Sequence, residues 1–587
     1  MRDVRIWVVV ICAAVCIAVE ARAADSIVYT VTQLRNAMNG ADPGDRIYVA
    51  PGNYSSRLWV QDVHGEPGNM IQVLALDPDN RPVFTSNAAS CITIYNSSYI
   101  LMDGIIAYGG GTPTQGSNNI EFPYGHHMIL KNSYSYDIDH NGNTDGVKFA
   151  HSDNILMYNT KIESWAEGGS AIDQMISSNS LMMRNTITFP DMSPDVAANG
   201  TQPKGESFEN GYYKNTFIDG SSRALQFGGS GGALHWEAWD MVAMGNVIDG
   251  GEASVAYVSS TTSVFDYNTI VDPEIWIMRI LREGGDQQTA YNTFRRNLIE
   301  YGTLNRIQNI GPNTRPETFD YANNYWYRWT NPGGSIPTLP GGETNPAGGT
   351  DPQLDAEYRP LYGPARAYGA HAPAMEAAWE PYTDWFAWAW AKALEYEPDA
   401  VAGGEYRVAP GLTVRLDAAA STAGSGSYGD HTITSWTWDI DGDGVFDDAS
   451  GETVELSFDD LAAMGLSPGT HQVGLRISSD TEYDPIVDWD LADLTILAVL
   501  ITGDVNLDAK VNVTDLGALA ANWQANGPEI GWGHGDFTAD HIVNITDLGA
   551  MASNWQVGVE IISVPEPASA ALLALGALVM IRRRTRR

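Results

Sequence analysis

The sequence predicts a mainly β protein that combines a parallel β-helix, a β-sandwich and a small α-helical module with calcium-binding loops. Its 587 residues are too many for one hydrophobic core, so several domains are expected. Short apolar segments led by asparagine recur at intervals of 22 to 31 residues between residues 132 and 324. A twelve-residue acidic pattern occurs twice near the C-terminus, 32 residues apart. The first pattern predicts the β-helix, and the second predicts the calcium loops.

Composition limits the classes of partner. The formal net charge is -39, and such an acidic protein repels nucleic acid and anionic membrane surfaces. With 44% hydrophobic and 10% aromatic residues, the chain has enough apolar material to fold rather than stay disordered. We expect a soluble, turn-rich β protein that binds neither nucleic acid nor a lipid surface.

The N-terminus predicts a signal peptide over residues 1–23. Two arginines precede an apolar run over residues 6–19, and Ala-Arg-Ala at 21–23 matches a cleavage site. A membrane anchor is the alternative, but the run is short for a span. Cleavage would leave Cys91 as the one cysteine, which is expected to be a small buried residue rather than a nucleophile.

The recurring asparagines predict a solenoid. Apolar residues alternate around each of them, which is typical of short strands. A repeat of this length cannot bury its own apolar face, but stacked repeats can, in coils about 4.8 Å apart. Inward-facing asparagines at the coil corners would pair with backbone groups of adjacent coils. The residues are Asn132, Asn159, Asn185, Asn215, Asn246, Asn268, Asn297 and Asn324.

The segment "VTQLRNAMNGADPGDRIYVAPGNY" (31–54) resembles the capping helix and first coil of right-handed β-helix proteins of the chondroitinase B and alginate lyase type. The resemblance covers residues 27–345 and implies a right-handed parallel β-helix over residues 24–345. It is strong for the fold and weak for the activity, because such folds host many functions.

A solenoid places residues of equal offset one above another. Eleven residues before successive coil asparagines lie Lys148, Gln174 (next to Asp173), Lys204 and His235, so these are predicted to form one row. A row with cations suits an anionic sugar chain. Further cations on later coils are Arg223, Arg279 and Arg282.

The same resemblance implies a β-elimination mechanism. In that family a lysine acts as base, an arginine acts as acid, and calcium neutralises the uronate carboxylate. Lys204 stands at the lysine's position, upstream of "NTF". The family's arginine is replaced here by Gln226, so Arg223 would have to serve, and the expected acidic calcium ligands are reduced to Asp195 and Asn199.

Hydrolysis is the second chemical option, and it needs two carboxylates. The histidines are too scattered to predict a zinc site. The candidate carboxylates are Asp145, Asp173, Glu206 and Asp219, and the histidines are His126, His127, His140 and His151.

Residues 346–398 are predicted to close the solenoid and continue into a tryptophan-rich helix. The aromatic segment 309–329 would close the last coils. The tryptophans after it have roughly helical spacing, which indicates a core stripe packed against the solenoid end or the next domain. They are Trp379, Trp385, Trp388 and Trp390.

Residues 399–499 have the short alternating strands of an immunoglobulin-type sandwich. The segment "SWTWDIDGDGVFDD" (435–448) resembles the signature of a PKD domain. Its acids alternate like calcium ligands, but position twelve of the loop is Ser450, so a plain Asp-Gly turn stays an equal alternative. The four acids are Asp439, Asp441, Asp443 and Asp447.

Residues 501–557 hold the duplicated loops "DVNLDAKVNVTD" and "DFTADHIVNITD", each followed by an apolar helix. Oxygen ligands at positions 1, 3, 5, 9 and 12, with a backbone carbonyl at 7, suit Ca²⁺. The module resembles a dockerin, which implies a cohesin-like partner and folding only with calcium. Ala509 and His541 replace the usual glycine. The ligands are Asp504, Asn506, Asp508, Lys510, Asn512 and Asp515, then Asp536, Thr538, Asp540, Ile542, Asn544 and Asp547.

The tail over residues 563–587 places Pro-Glu-Pro before a short apolar run and an arginine cluster. It resembles the PEP-CTERM sorting signal of Gram-negative bacteria. This implies an exosortase-type protease as partner, a cell-surface or extracellular-matrix location, and only transient membrane contact through the tail. A permanent C-terminal anchor is the alternative.

Two functions therefore compete. In the first, the protein is a carbohydrate-active enzyme, a lyase or a hydrolase, that degrades an acidic polysaccharide and is anchored by its calcium module. In the second, the β-helix has no catalytic role and serves as an adhesin or a component of an extracellular matrix.

Overall fold

The computed structural model describes residues 24–86, 89–110, 117–138, 142–189, 198–219 and 222–559. The predicted signal peptide and the sorting tail lie outside the described residues, as do His140 and Asp195.

Three long parallel sheets form a β-solenoid of about ten turns. Sheet one has twelve strands: Asp25–Val28, Arg46–Val49, Ile71–Ala75, Ser98–Asp103, His126–Lys131, Asp153–Tyr158, Leu181–Met183, Gly211–Tyr213, Val242–Met244, Val264–Asp266, Thr293–Arg295 and Asp320–Ala322. Sheet two has twelve: Asn53–Tyr54, Val83–Thr85, Ile106–Tyr108, Tyr134–Tyr136, Lys161–Glu163, Thr186–Thr188, Thr216–Ile218, Val247–Asp249, Thr269–Val271, Leu298–Tyr301, Tyr325–Arg328 and Ala347–Gly348. Sheet three has ten: Leu58–Gln61, Ile92–Tyr95, Ile120–Pro123, Val147–Ala150, Ser170–Met175, Asn199–Lys204, Arg223–Gly228, Ala253–Val258, Trp276–Leu281 and Gln308–Ile310.

A smaller parallel sheet joins Ser207–Phe208, Ala238–Trp239 and Ser260–Thr261 at one corner. The predicted capping helix is confirmed as Val31–Asn39, and the Thr30 side chain caps its first turn. Its buried face, with Leu34 and Met38, covers the open end of the core.

The asparagine ladder exists, but it holds six of the eight predicted members. In the stack from Asn185 to Asn324, the oxygen of Asn185 accepts from the backbone of Thr160 at 2.9 Å. Each later side-chain oxygen accepts hydrogen bonds from the asparagine of the preceding coil, at 2.8–3.3 Å. Glu343 accepts the last pair of bonds and ends the stack. Buried backbone groups at this corner are thereby paired.

The prediction is wrong for Asn132 and Asn159, which stand one position earlier on their coils with φ of 48° and 45°. Ser133 and Thr160 take the ladder position there, and their hydroxyl oxygens accept the backbone bonds instead. A hydroxyl oxygen can accept a backbone hydrogen bond as an amide oxygen does, so Ser133 and Thr160 continue the ladder on these two coils.

The tryptophan-rich segment forms the helices Met375–Trp379 and Ala387–Tyr396, joined by the 3-10 turn Glu380–Phe386. They cover the outer, apolar side of sheet one, and Ile486 of residues 399–499 belongs to the same cluster. Of the two predicted partners, the solenoid end is therefore wrong, whereas the next domain does contact these helices. Other 3-10 turns are Pro316–Thr318, Pro332–Gly334, Gly363–Ala367 and Trp532–His534.

Two sheets of a small sandwich follow. Five strands pair in the order Tyr406–Val408, Ile486–Ile496, Gly469–Ser479, Ile433–Asp439 and Ala449–Ser450, and two strands, Thr413–Asp417 and Thr453–Ser457, form the second sheet. Trp438, Leu456 and Leu475 belong to its core, with helix Phe458–Ala463 at the edge.

The last described segment holds two helices, Val513–Ala521 and Ile545–Ala552, each capped by the asparagine before it. Its halves exchange equivalent backbone bonds, from Gln524 to Val543 and from Gln556 to Val511. Within the described residues, no helix has both the length and the apolar composition needed to cross a membrane.

Candidate active site on the ten-stranded sheet

A row of four polar residues runs along the outer face of sheet three. Strand pairing places Lys148 between Glu121 and Asp173, and Gln202 follows opposite Asp173 on the next coil. The residues on either side of Lys148 in its strand are buried and point into the solenoid. Because side chains alternate across a strand, the four polar side chains point outward.

Lys204 does not belong to this row, although its offset predicted it there. It stands opposite Met175, two positions beyond Asp173. The row is also wrong for His235, which lies in a loop where its Nδ1 is 2.9 Å from Asp286 Oδ1. The constant offset of eleven residues from the coil asparagines fails for two reasons. The ladder position is one residue after Asn159 but at the asparagine itself from Asn185 onward, and the turn after Lys204 is one residue longer than the turn after Met175.

Lysine and aspartate side chains alternate in one ion-paired cluster. Lys148 Nζ lies 3.0 Å from Asp145 Oδ2 and 2.5 Å from Asp173 Oδ2. Lys204 Nζ lies 2.8 Å from Asp173 Oδ1 and 3.0 Å from Gln202 Oε1. Both aspartate side chains are 1% exposed, whereas the lysines keep 21% and 14% of their surface in contact with solvent. The structure thus brings three predicted residues, Lys148, Asp173 and Lys204, into direct contact.

The environment drives the pKa values of the two carboxyls apart. Burial, followed by the charge of Asp173, raises the pKa of Asp145 to about 6. Burial also opposes ionisation of Asp173, but the charges of Lys204 and Lys148 prevail and hold its pKa below the usual range. Burial opposes the charge of Lys148, yet the two carboxylates raise its pKa. Opposite shifts on neighbouring carboxyls are typical of acid–base pairs.

Other predicted candidates lie elsewhere. Gln174 faces the interior, where its side-chain oxygen accepts a hydrogen bond from the Tyr212 hydroxyl. Glu206 accepts a bond from the backbone of Leu234 at 3.1 Å and holds a loop. Asp219 follows a strand of sheet two. Of the four carboxylates considered for hydrolysis, only Asp145 and Asp173 share the cluster.

Two arginines extend the polar face along the next coils. Arg223 bonds Gln226 at 2.5 Å and Glu283 at 3.2 Å. Arg279 lies 4.0 Å from Glu252, a long ion pair. Each side chain is 15% exposed, and the Nε atom of each is buried without a hydrogen-bond partner. Burial, followed by the charge of Arg223, lowers the pKa of Arg279, so the two cations lie near each other and are incompletely neutralised.

Two glutamines stand between Lys204 and Arg223. Gln202 accepts from Lys204, and Gln226 accepts from Arg223. A Cβ atom at Gly229 would meet both amide nitrogens, at 2.7 and 3.2 Å. The two amides therefore both lie beside Gly229, between Lys204 and Arg223.

A buried carboxylate braces the loop beside the cluster. Glu237 accepts backbone hydrogen bonds at 2.6–3.3 Å from four residues and is 0% exposed. One donor, Gly205, directly follows Lys204, and the other three belong to the loop 229–236. Sequence reasoning missed Glu237, because only the folded loop turns its amides toward one carboxylate. The four donors are Gly205, Gly231, Gly232 and Ala233.

The described histidines cluster only in part. His126 Nδ1 and His127 Nδ1 are 3.0 Å apart, and His151 stacks on Tyr124. Among the residues described by the structure, these histidines belong to no group of three potential metal ligands.

The duplicated loops bring carboxylates together. In the second loop, oxygens of Asp536, Asp540 and Asp547 lie within 4.8 Å of one another, and Asp536 and Asp547 are buried while Asp540 is exposed. Asp504 and Asp515 of the first loop are fully buried. Within the described part of the chain, no lysine or arginine forms an ion pair with any of these carboxylates. Buried, uncompensated carboxylates fit a divalent cation.

Comparison with known proteins identifies one family motif. The PEP-CTERM protein-sorting motif matches residues 563–587. It indicates export to a cell-surface or extracellular location in a Gram-negative bacterium and implies processing by exosortase. No curated protein matches the chain.

Solved structures similar to the chain include an alginate lyase from Paenibacillus sp. str. FPU-7, at 16% identity over 49% of this chain and 97% of the other, with a TM-score of 0.31. A polygalacturonase from Erwinia carotovora ssp. carotovora has 13% identity over 50% and 96%, with a TM-score of 0.37. An endo-xylogalacturonan hydrolase from Aspergillus tubingensis has 10% identity over 54% and 90%, with a TM-score of 0.33. At this level of similarity, we infer function from the contacts of this chain alone.

Proposed function

We propose that this protein is a surface-sorted, carbohydrate-active enzyme that degrades an acidic polysaccharide on the outer face of sheet three. The observation that carries the proposal is the cluster of Asp145, Lys148, Asp173 and Lys204, in which two adjacent carboxyls have opposite pKa shifts. Perturbed, interacting titratable groups are concentrated at catalytic sites.

The cations of this face suit an anionic substrate. The whole chain carries a formal charge of -39, yet four cations are gathered here. Each is paired with a carboxylate of the protein that the substrate would have to displace. Uronate residues along a glycan chain would offer carboxylates to them, and coils spaced about 4.8 Å apart provide a matching periodic surface. The cations are Lys148, Lys204, Arg223 and Arg279.

The cluster supports two chemistries. In elimination, Lys204 would first release the proton of its ammonium group to water. The neutral amine would then take the proton next to the uronate carboxylate, and Arg223 would donate a proton to the leaving oxygen. In hydrolysis, Asp145 would donate a proton and Asp173 would act as the ionised partner. Both aspartates contact one ammonium group, so these oxygens are closer than the about 6.5–9.5 Å of inverting glycosidases. Hydrolysis here would therefore retain configuration.

The test is the activity of the purified protein, with calcium, on alginate, pectate and chondroitin. Absorbance of an unsaturated uronate reports elimination, and new reducing ends without absorbance report hydrolysis. We expect Lys204→Ala and Asp173→Asn each to lower kcat/KM by about 10²- to 10⁴-fold. Lys161→Ala, a matched lysine on sheet two, should leave it unchanged. Equal activity of Lys204→Ala and Lys161→Ala would refute the site.

A second candidate function rests on the same contacts. Lys204 and Lys148 are already paired with Asp173, and the carboxylates of Asp145 and Asp173 are almost inaccessible to solvent. A surface so arranged could bind an anionic glycan without cleaving it, as an adhesin or matrix component does. Retained glycan binding with no product from any substrate, lost in Lys204→Ala, would favour this role.

We also propose that residues 501–557 form a dockerin-like calcium module that attaches the protein to a cohesin-like partner, and that the sandwich is a PKD-like spacer. The predicted loop ligands, Asp504 to Asp515 and Asp536 to Asp547, would hold one Ca²⁺ each. Bound calcium would supply folding energy to the module rather than catalysis.

A further inference from the structure

A third group of carboxylates lies in the sandwich, outside the duplicated loops. Ligand-type oxygens of Asp439, Asp441 and Asp448 lie within 4.8 Å of one another. The group begins at the end of strand Ile433–Asp439 and includes the loop that follows it. Asp439 and Asp441 also line a cavity of about 670 Å³ that would admit an ion from solvent.

Of the three aspartates, Asp439 is the one whose surroundings indicate a bound ligand. It is 6% exposed, and its Oδ1 is buried without a hydrogen-bond partner. Burial of an unpaired carboxylate oxygen is unfavourable unless a cation compensates its charge.

Protein cations compensate this carboxylate only from a distance, since the charge of Arg366 favours ionised Asp439 without a direct contact. Among the described residues, no lysine or arginine forms an ion pair with any of the three aspartates. The nearby Arg366 guanidinium instead donates to the backbone carbonyls of Gly442 and Asp443.

The loop has the hydrogen-bond pattern of the two duplicated loops. The carboxylate of the first aspartate accepts from the amide five residues later: Gly444 to Asp439, as Ala509 to Asp504. His541 donates to Asp536 in the same way.

In all three loops, the side chain at the fifth position accepts a hydrogen bond from the backbone amide two residues later. The side chain at the third position does the same in this loop and in the first duplicated loop, whereas the second duplicated loop has Thr538 there and lacks this bond. The equivalent bonds reach Asp441 and Asp443 in this loop, Asn506 and Asp508 in the first duplicated loop, and Asp540 in the second.

The closing acid of the loop is Asp448. Its Oδ2 accepts from the amides of Ile440 and Asp441, as Asp515 Oδ1 accepts from Val505 and Asn506. Asp448 is the tenth residue of the loop, whereas the twelve-residue calcium-loop pattern expects the closing acid at the position of Ser450. The sequence-based set named Asp447, which the described cluster does not include.

We propose that this loop binds a calcium ion through Asp439, Asp441 and Asp448, independently of the duplicated loops. Asp443 and the carbonyl of Val445 hold the positions equivalent to the fifth and seventh ligands. An all-oxygen donor set selects a hard cation, and flexible acidic loops accommodate Ca²⁺ better than Mg²⁺.

The test counts ions bound to the full chain by equilibrium dialysis against radioactive calcium after chelation. We expect three ions per wild-type chain and two for Asp441→Ala, which removes the ligand oxygens, and whose side chain is exposed and less critical for folding than Asp439. Asp447→Ala removes the same charge from the same loop and should keep three. Three ions in Asp441→Ala, or two in wild type with no loss in Asp441→Ala, would overturn the proposal.

A second variant separates this site from the duplicated loops. The double substitution Asp515→Ala and Asp547→Ala removes one ligand from each of those loops. One ion should remain bound, and adding Asp441→Ala should remove it. Zero ions in the double variant would overturn the proposal, even if Asp441→Ala alone failed to fold. A failure of the duplicated loops would appear instead as one ion in wild type.

Discussion

At the residue scale, Lys148 is a single cation shared by two carboxylates, so neither aspartate is fully neutralised. Asp173 gains a second partner in Lys204, while Asp145 has no other lysine in contact. This asymmetry explains why Asp173 stays ionised more readily than Asp145. Sequence offsets indicated Lys148 and Asp173, but they could not reveal that Lys204 reaches back across one coil.

The pH dependence of stability should report the state of Asp145. A carboxyl whose pKa is raised by folding, here to about 6, stabilises the fold while protonated. Its contribution is present below about pH 4, the unfolded pKa, and is lost as the pH rises through about 6. We expect wild type to lose roughly 1–3 kcal/mol relative to Asp145→Asn between pH 4 and pH 7.

Urea unfolding at both pH values measures this difference. Asp219→Asn, on sheet two, is the control and should show no such change relative to wild type. An unfolding free-energy difference between wild type and Asp145→Asn that is the same at both pH values would contradict the assigned protonation.

Asn246 is a test of the ladder. Its side-chain oxygen accepts from the backbone and side-chain nitrogens of Asn215, and its amide donates to Tyr212. Asn246→Ala leaves these buried groups unpaired, so we expect a loss of roughly 2–4 kcal/mol in unfolding free energy. The exposed Asn331, changed to alanine, should cost under about 0.5 kcal/mol. Similar losses for both variants would show that the ladder is not stabilising.

At the element scale, the loop 229–236 depends on one carboxylate. Glu237→Gln replaces an acceptor oxygen with an amide that faces backbone donors, so two of four bonds are lost. We expect opening of the loop to become easier by roughly 1–3 kcal/mol. Hydrogen exchange should rise in residues 229–236 while the main unfolding transition changes little.

The control for this loop is Glu274→Gln, because Glu274 is exposed. It should leave the exchange pattern unchanged. Unaltered exchange in Glu237→Gln as well would show that the loop is held by other contacts.

The tryptophan-rich helices show that one sequence pattern is compatible with more than one packing surface. Helical spacing of tryptophans predicted a core stripe, and Trp379 is indeed buried. The choice of surface came from sheet one, whose outer side carries Leu101, Ile129 and Leu156. Since a solvated apolar sheet face is unfavourable, the helices cover it along the flank.

At the scale of the whole molecule, the sandwich makes specific contacts with the solenoid and with the segment 346–398 that follows it. The Tyr428 hydroxyl donates to the Ala75 carbonyl at 2.6 Å, and Arg476 pairs with Glu357 at 2.6 Å. Arg407 bonds the Leu507 carbonyl, which lies in the first duplicated loop. Residues 501–557 are thus tied to the sandwich through a loop that the proposed calcium ion would order.

Calcium removal should act on parts of the chain selectively. We expect chelation to unfold residues 501–557, because buried carboxylates then repel one another, while the solenoid keeps its hydrogen-bonded core. Calorimetry should show one transition moving to higher temperature with added calcium and a second one insensitive to it. Equal shifts of all transitions, or none, would contradict this modular dependence.

The sequence by itself determined the repeating architecture and the ligand spacing of the duplicated loops. Both are local, because strand alternation, turn residues and a twelve-residue loop depend on neighbours along the chain. Tertiary structure alone decided which charges meet. In a solenoid, one extra residue in a turn shifts the contacts between coils, so Lys204 pairs with Asp173 of the preceding coil. In the sandwich, the folded loop brings Asp448 to its first residues, whereas the twelve-residue spacing placed the closing acid at Ser450.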